Sequence, residues 1–165
     1  MNIFFLHRSA RRCAKMHVNK HVVKMILETT QLLCSAHYFF PNPHYTPCYK
    51  LTHKNHPCAI WTRESLENYK WLVRLGLALC KEYTFRYGRE HKCESYLKEL
   101  KRWCPSIPSK GFTEPAQAMP VEYKHKSSVQ AYREYYIFDK TQMLTWKGKV
   151  GNRNPPKWVK SFFNI

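Results

Sequence analysis

One short stretch of the chain combines four side-chain types that can move protons and hold phosphate. Its members are His17, His21, Lys24 and Glu28. Intervals of four, three and four residues place them on one line along a helix. The residues around this line are mostly apolar, so the polar face is narrower than that of an ordinary surface helix. Two imidazoles, an ammonium and a carboxylate in such a groove shift one another's pKa, which is typical of acid/base sites.

Two interpretations of this polar line remain open. In the functional one, Glu28 is a general acid/base, His17 and His21 assist it, and Lys24 holds a phosphate. In the structural one, His21 or Lys24 pairs with Glu28 beside a packed core. Pairs of that kind are common and contribute about 0.3–0.5 kcal/mol each.

Six further residues are candidates for binding phosphate or nucleic acid. Three of them share a face of a second predicted helix, two flank Gly88, and one lies between prolines in the loop GFTEPAQAMP. They are His56, Arg63, Lys70, Arg86, His91 and Gln117. A helix N-terminus attracts anions, and arginine adds bidentate binding. The alternatives are a solvated basic face and, for Gln117, a rigid turn.

The charge of the chain favours a polyanionic partner. Lys and Arg number 28 against 11 Asp and Glu, a formal net charge of +17. Nucleic acids, anionic membranes and acidic proteins are the usual partners of such a chain. Basic residues occur from Arg8 to Lys160, interleaved with aromatic ones, and this favours nucleic acid, DNA above all. The aromatic side chains that either stack on bases or pack in the core are Tyr132, Tyr135, Tyr136, Trp146 and Trp158.

Neither a metal nor a cofactor is predicted. The seven cysteines form no C-x-x-C pair, which favours free thiols in a reducing compartment. The grouping Cys48, His53, His56 and Cys58 matches no common zinc spacing. We expect no membrane span, no signal peptide and an intracellular, non-secreted protein. The oligomeric state is left open.

The elements that must position these residues are helices. We predict one basic all-α domain over residues 1–165, with about four helices and two Pro-rich loops. The helices are predicted from Ser9 to about His37, from Pro57 to Gly88, from Glu90 to Trp103 and from Ser127 or Ser128 to Trp146. Residues 41–57 and 105–127 are the loops, and residues 1–8 and 147–165 are terminal arms.

Two resemblances add to this picture. The stretches KHVVKMILETTQLL, THKNHPCAIWTRES, NYKWLV, EYTFRYGREH and EPAQAMP resemble an uncharacterised family of short proteins of phages and large DNA viruses. The start MNIFFLH, followed by a basic first helix that carries a carboxylate, resembles pyrimidine-dimer DNA glycosylases of the endonuclease V type. Those enzymes are small, basic and all-α. A viral origin follows only from the first resemblance.

The second resemblance implies a glycosylase/lyase mechanism. The N-terminal α-amine attacks C1′ of the damaged nucleotide and forms a Schiff base, and α-amines are partly neutral at physiological pH. Glu28 is then the general acid/base, while Lys24, His17 and Arg63 bind the flanking phosphates.

The chain departs from that family at two points. The family's amine belongs to a small residue exposed by removal of Met1, whereas Asn2 is bulky, so the amine is expected on Met1. Glu28 also lies several residues further along than the family's acid. Three functions therefore stay open: a glycosylase/lyase, a nuclease or nucleotide-processing enzyme that uses the polar line, and a non-enzymatic viral DNA-binding or packaging protein.

Overall fold

A computed structural model describes residues 1–165 as seven α-helices and two 3₁₀ turns without a β-strand. The helices are α1 (Ala10–Met16), α2 (Asn19–Phe39), α3 (Pro57–Glu64), α4 (Leu66–Tyr87), α5 (Glu94–Arg102), α6 (Ser128–Asp139) and α7 (Lys157–Phe163). The turns are Val121–Tyr123 and Thr141–Met143. The all-α class is therefore confirmed, and the predicted number of about four helices is wrong.

The predicted first helix is two helices. Ser9 caps α1 as expected, but His17 and Val18 have extended backbone conformations that end α1 and precede α2. Such a break leaves carbonyl groups at the end of α1 without helical partners. The buried guanidinium of Arg86 donates to two of them, those of Lys15 at 3.1 Å and His17 at 2.8 Å. A residue on α4 thus stabilises the break.

The predicted second helix is also divided. Ser65 is extended, and its hydroxyl caps α4 by accepting from the Asn68 N–H. The Leu66 N–H donates to the carbonyl of Pro108, so the loop satisfies the new helix start. The outer ends are as predicted: His56 caps α3 with Pro57 in its first turn, and Gly88 ends α4 with a left-handed φ of 70°.

The last predicted helix is shorter than expected and the C-terminal arm is partly helical. α6 ends at Asp139, where the Thr141 hydroxyl donates to the carbonyl of Ile137. Trp146 lies beyond it, buried, with its indole N–H donating to the carbonyl of Met16. α7 then packs through the buried Val159.

The core contains 34 buried side chains between Ile3 and Val159. At its centre α2 packs against α4 at Gly76, where an added Cβ would lie 3.1 Å from Thr29. The first residues are part of this core, because Phe4 stacks on His21 and the other apolar side chains from Ile3 to Leu6 are buried. None of the seven helices combines the length and the apolar character that crossing a bilayer requires.

Candidate active site at the N-terminal amine

The start of the chain lies against the carboxylate of Glu28. The backbone N–H of Asn2 donates to Glu28 Oε2 at 3.1 Å, and the Met1 amine is 4.0 Å from the same oxygen. Lys24 Nζ lies 3.4 Å from Oε1. Only 12% of the Glu28 side chain is exposed, against 67% for Lys24. Met1, Asn2, Lys24 and Glu28, together with His56 described below, form what we call the amine site.

Asn2 is held in a socket of hydrogen bonds. Its Oδ1 accepts from the Ile3 N–H at 2.8 Å and lies 2.9 Å from the Tyr132 hydroxyl, and its Nδ2 donates to the carbonyl of Ala118 at 2.9 Å. The Cys58 thiol is 3.6 Å from Oδ1. An amide fixed at both ends determines the direction of the backbone nitrogen beside Glu28. The amine site is therefore rigid on this side.

Met1 has a buried side chain and a more exposed backbone. Its side chain is 4% exposed and packs against the core, whereas the residue as a whole is half-buried. The accessible surface of Met1 therefore belongs to the backbone that carries the amine.

His56 lies at the rim of the same site. Its Nδ1 accepts from the Cys58 N–H at 3.1 Å, as expected of the residue that caps α3. Burial and then the positive charge of the Met1 amine lower the pKa of His56. Its imidazole is therefore disposed to be neutral, and Lys24 is the permanent cation beside Glu28.

His17 and His21 are placed in the interior instead. His17 is fully buried, with Nδ1 2.8 Å from the carbonyl of Cys13 and no partner for Nε2. His21 stacks on Phe4 with 4.1 Å between ring centroids, and its Nδ1 lies 2.6 Å from the Tyr136 hydroxyl. Burial lowers the pKa of His17 to about 4 and that of His21 to about 3. The polar line is thus divided into two buried imidazoles and a Lys24–Glu28 pair.

Arg86 and Arg63 are not near the amine. Arg86 is fully buried, and its donors bond to Glu82, Asn19 and the carbonyls that end α1, so none faces a ligand. The Arg63 guanidinium lies 4.0 Å from the ring centroid of Phe39. Phe39 is eleven residues beyond Glu28 on α2, which is about 16 Å along the helix.

The remaining predicted phosphate ligands are dispersed. Lys70 is exposed on α4, and His91 accepts from the Cys93 N–H while its ring packs edge-on against Tyr83. The amide of Gln117 bonds at both ends to the His125 backbone, donating at 2.6 Å and accepting at 2.9 Å. Gln117 therefore closes a turn, as in the structural alternative.

The cysteines and histidines of residues 48–58 do not converge. Cys48 Sγ lies 3.7 Å from the thiol of Cys34, while Cys58 faces Asn2. His53 bonds to the hydroxyl of Thr52, and it has a left-handed φ of 49°. No group of three or more His, Cys, Asp or Glu side chains in the chain is arranged to hold a metal ion.

Tyr132 and Ala118 contact Asn2 in a way that the sequence does not indicate. The Tyr132 hydroxyl also lies 2.6 Å from the carbonyl of Ala116 and accepts from the Ala118 N–H, so it joins the loop to Asn2. Tyr132 was one of five aromatics assigned either to base stacking or to the core. It is fully buried, as are Tyr136 and, to 3% exposure, Trp146.

Comparison with known proteins gives one match. The profile of the pyrimidine dimer DNA glycosylase family matches residues 1–95. This range includes Met1, Asn2, Lys24, Glu28 and His56, and it excludes Ala118 and Tyr132. No curated protein and no solved structure matches the chain significantly.

Proposed function

Because the chain belongs to the pyrimidine dimer DNA glycosylase family, we propose that it is a DNA repair glycosylase/lyase acting on damaged pyrimidines with its N-terminal amine as nucleophile. The observation that carries this proposal is the position of that amine 4.0 Å from the carboxylate of Glu28, whose side chain is only 12% exposed. DNA as substrate and an intracellular site of action are parts of the same proposal.

The reaction begins with the lone pair of the neutral Met1 amine. It attacks C1′, the glycosidic C1′–N bond breaks, and its electron pair leaves with the base, which takes up a proton. The new C1′–N amine loses a proton and expels the ring oxygen, giving a Schiff base on the opened sugar. Loss of a C2′ proton then breaks the C3′–O bond and releases the 3′ phosphate.

We assign the transfer of these protons to Glu28. Its Oε2 is the oxygen nearest the amine. Lys24 Nζ lies 3.4 Å from Oε1, where its positive charge offsets the negative charge of the carboxylate. The carboxylate takes a proton from the attacking nitrogen and returns it to the departing ring oxygen. Asn2 is a positioning residue, since its side chain is fully engaged with Ala118 and Tyr132. Reaching C1′ requires the damaged nucleotide to leave the base stack, at about a few kcal/mol.

The burial of His17 and His21 argues against the second open function. A nuclease that uses these imidazoles needs them in contact with the substrate, and they are 0% and 6% exposed. The third function, a non-enzymatic viral DNA-binding protein, accounts for the charge of +17 but assigns no role to the pairing of amine and carboxylate.

Borohydride trapping tests the proposal. Purified protein is mixed with labelled ultraviolet-irradiated duplex or undamaged duplex, and borohydride reduces any imine to a stable covalent bond. We expect an adduct with the irradiated duplex only, and mass spectrometry of its peptides should place the link on the N-terminal nitrogen. Equal binding to both duplexes without an adduct would contradict the proposal and favour a DNA-binding protein.

Variants of the chain separate the amine from its carboxylate. Glu28→Gln keeps the size of the side chain and removes the base, so trapping should slow by roughly 10²–10⁴-fold. Glu90→Gln is the matched control, because Glu90 is exposed and has no ion-pair partner. A Gly-Ser extension before Met1 should abolish the adduct, whereas the same extension after Ile165 should not. Circular dichroism checks that each protein is folded.

A further inference from the structure

A cavity lined by basic side chains lies away from the amine site and shares no residue with it. It is a groove of about 850 Å³ between α1 and α4, bounded also by Arg8 and Arg153. Seven cations line it, and its one carboxylate, Glu82, is already bound by Arg86 and Arg153. We call it the basic groove.

Five cations of the basic groove have no ion-pair partner within the protein. They are Arg11, Lys15, Arg74, Lys81 and Lys101. Four of them are exposed and Lys15 is half-buried. Like charges that converge on one cavity repel one another, so an anion that spans them is bound favourably. The groove also has an apolar wall in Phe85, which is 42% exposed and stacks with the Arg153 guanidinium at 4.1 Å.

The geometry of α4 fits a repeating anion better than a single one. Arg74 and Lys81 lie seven residues apart on one face, which is about 10 Å along the helix axis. Three base-pair steps rise by about the same distance, at ~3.4 Å per nucleotide of a strand. Cations at this spacing can contact separate phosphates of one backbone.

The basic groove and the amine site lie on different sides of the α2–α4 pair. Arg74 and Lys81 are roughly 150° around α4 from Gly76, the residue that faces α2. Glu28 in turn is roughly 100° around α2 from Thr29, which contacts Gly76. The axes of the two helices are about 8–10 Å apart. Because the groove and the amine site lie on different sides of these packed helices, the groove does not continue the amine site.

We infer that the basic groove is a second nucleic-acid-binding surface, which takes the phosphate backbone of DNA whether or not a lesion is present. It adds lesion-independent affinity to the chemistry proposed for the amine site. We expect its ligand to be bound through charge and spacing, because seven cations line the cavity.

The test compares two triple variants with the same loss of charge. Arg74→Gln/Lys81→Gln/Lys101→Gln removes three of the seven cations of the groove, and Lys50→Gln/Lys110→Gln/Lys157→Gln removes three exposed lysines that do not line it. Binding to an undamaged duplex is measured by fluorescence anisotropy between about 50 and 200 mM salt. For the groove variant, the slope of log affinity against log salt should become less steep by about 2.7, and affinity near 0.1 M should fall on the order of 10²-fold.

The control variant decides the outcome. If both triple variants lose the same slope and affinity, only the net charge matters and the inference is wrong. If the groove variant alone loses them, the groove binds the backbone. Because the duplex is undamaged, neither result depends on catalysis. Absence of a borohydride adduct in the unaltered protein would contradict the proposed function, but it would not affect the inference that the basic groove binds DNA.

Discussion

Lowering the pH from 7 to 5 should destabilise the fold through three histidines that are buried in the neutral state. Burial lowers the pKa of His17, His21 and His37 from 6.5 to about 4, 3 and 4. The local bonding explains the effect. The Tyr69 hydroxyl donates to a backbone carbonyl, so His37 Nε2–H donates to Tyr69, and Nδ1 is left buried without a partner. A proton added there finds neither water nor an acceptor.

The linkage between proton binding and folding gives the direction and the size of this destabilisation. The unfolded chain binds protons at these histidines near pH 6.5, whereas the folded chain does not until about pH 4, so their contribution is present above 6.5 and lost below it. Between pH 7 and 5 each buried histidine costs about 2 kcal/mol, and the three together about 6 kcal/mol. A typical domain has about 5–15 kcal/mol of stability in total. Carboxylates with a lowered pKa, such as Glu67 and Glu114, lose their contribution to stability only below their ordinary pKa of 4.5.

Urea unfolding at pH 7, 6 and 5 measures this loss. In His37→Gln the fall between pH 7 and 5 should shrink by about a third, since one of the three buried histidines that take up a proton on unfolding in this range has been removed. His44→Gln is the matched control, because His44 is exposed. The reasoning is refuted if the free energy of unfolding is the same at pH 7 and 5, or if the two variants alter its pH dependence equally.

Three substitutions test the packing that positions the two surfaces. Arg86→Met should cost about 3–5 kcal/mol, because it removes a buried partner of Glu82 and leaves the carbonyls at the end of α1 without donors. Tyr132→Phe should cost about 1–3 kcal/mol and also slow borohydride trapping, since the hydroxyl bonds in the Asn2 socket are lost. Gly76→Ala should cost about 1 kcal/mol net, because the crowding of the new Cβ, 2.8 Å from Leu97 Cδ2 and 3.1 Å from Thr29 Cγ2, outweighs the gain in helix propensity. Urea unfolding measures all three.

Each of these substitutions has its own comparison. Arg89→Gln and Tyr96→Phe change exposed residues of the same types and should shift stability by less than about 0.5 kcal/mol. Leu97→Val should recover part of the loss in Gly76→Ala, because valine has no Cδ atoms and both Cδ atoms of Leu97 crowd the new Cβ. A Tyr132→Phe protein that traps DNA at the original rate would show that the socket does not position the amine.

Local signals were sufficient for four of the helix ends. Ser9, Pro57, Gly88 and Ser127 begin or end helices as predicted, because capping depends on a few neighbouring residues. The spacing of the polar line also allowed a pair of Glu28 with either His21 or Lys24, and the structure has the pair with Lys24.

Long-range contacts were responsible for what the sequence did not predict. Nothing near His17 breaks a helix, and the break depends on Arg86, which was itself predicted to bind phosphate at the surface. The burial of His17 and His21 depends on the segment around Phe4. This segment was predicted as an N-terminal arm, whereas in the structure it lies in the core. The basic groove combines cations from four separate parts of the chain, so no window of sequence contains it.

The contact between Asn2 and Tyr132 has a consequence for how the protein is made. The two residues are 130 positions apart. A ribosome adding about 5–20 residues per second takes about 7–26 s to produce the second after the first. Throughout that interval the start of the nascent chain has no socket to enter, and it is open to the enzymes that trim or modify new chains. Once Tyr132 has emerged and docked, the Met1 side chain is enclosed, so an enzyme that must bind this side chain can act on it only before the chain folds.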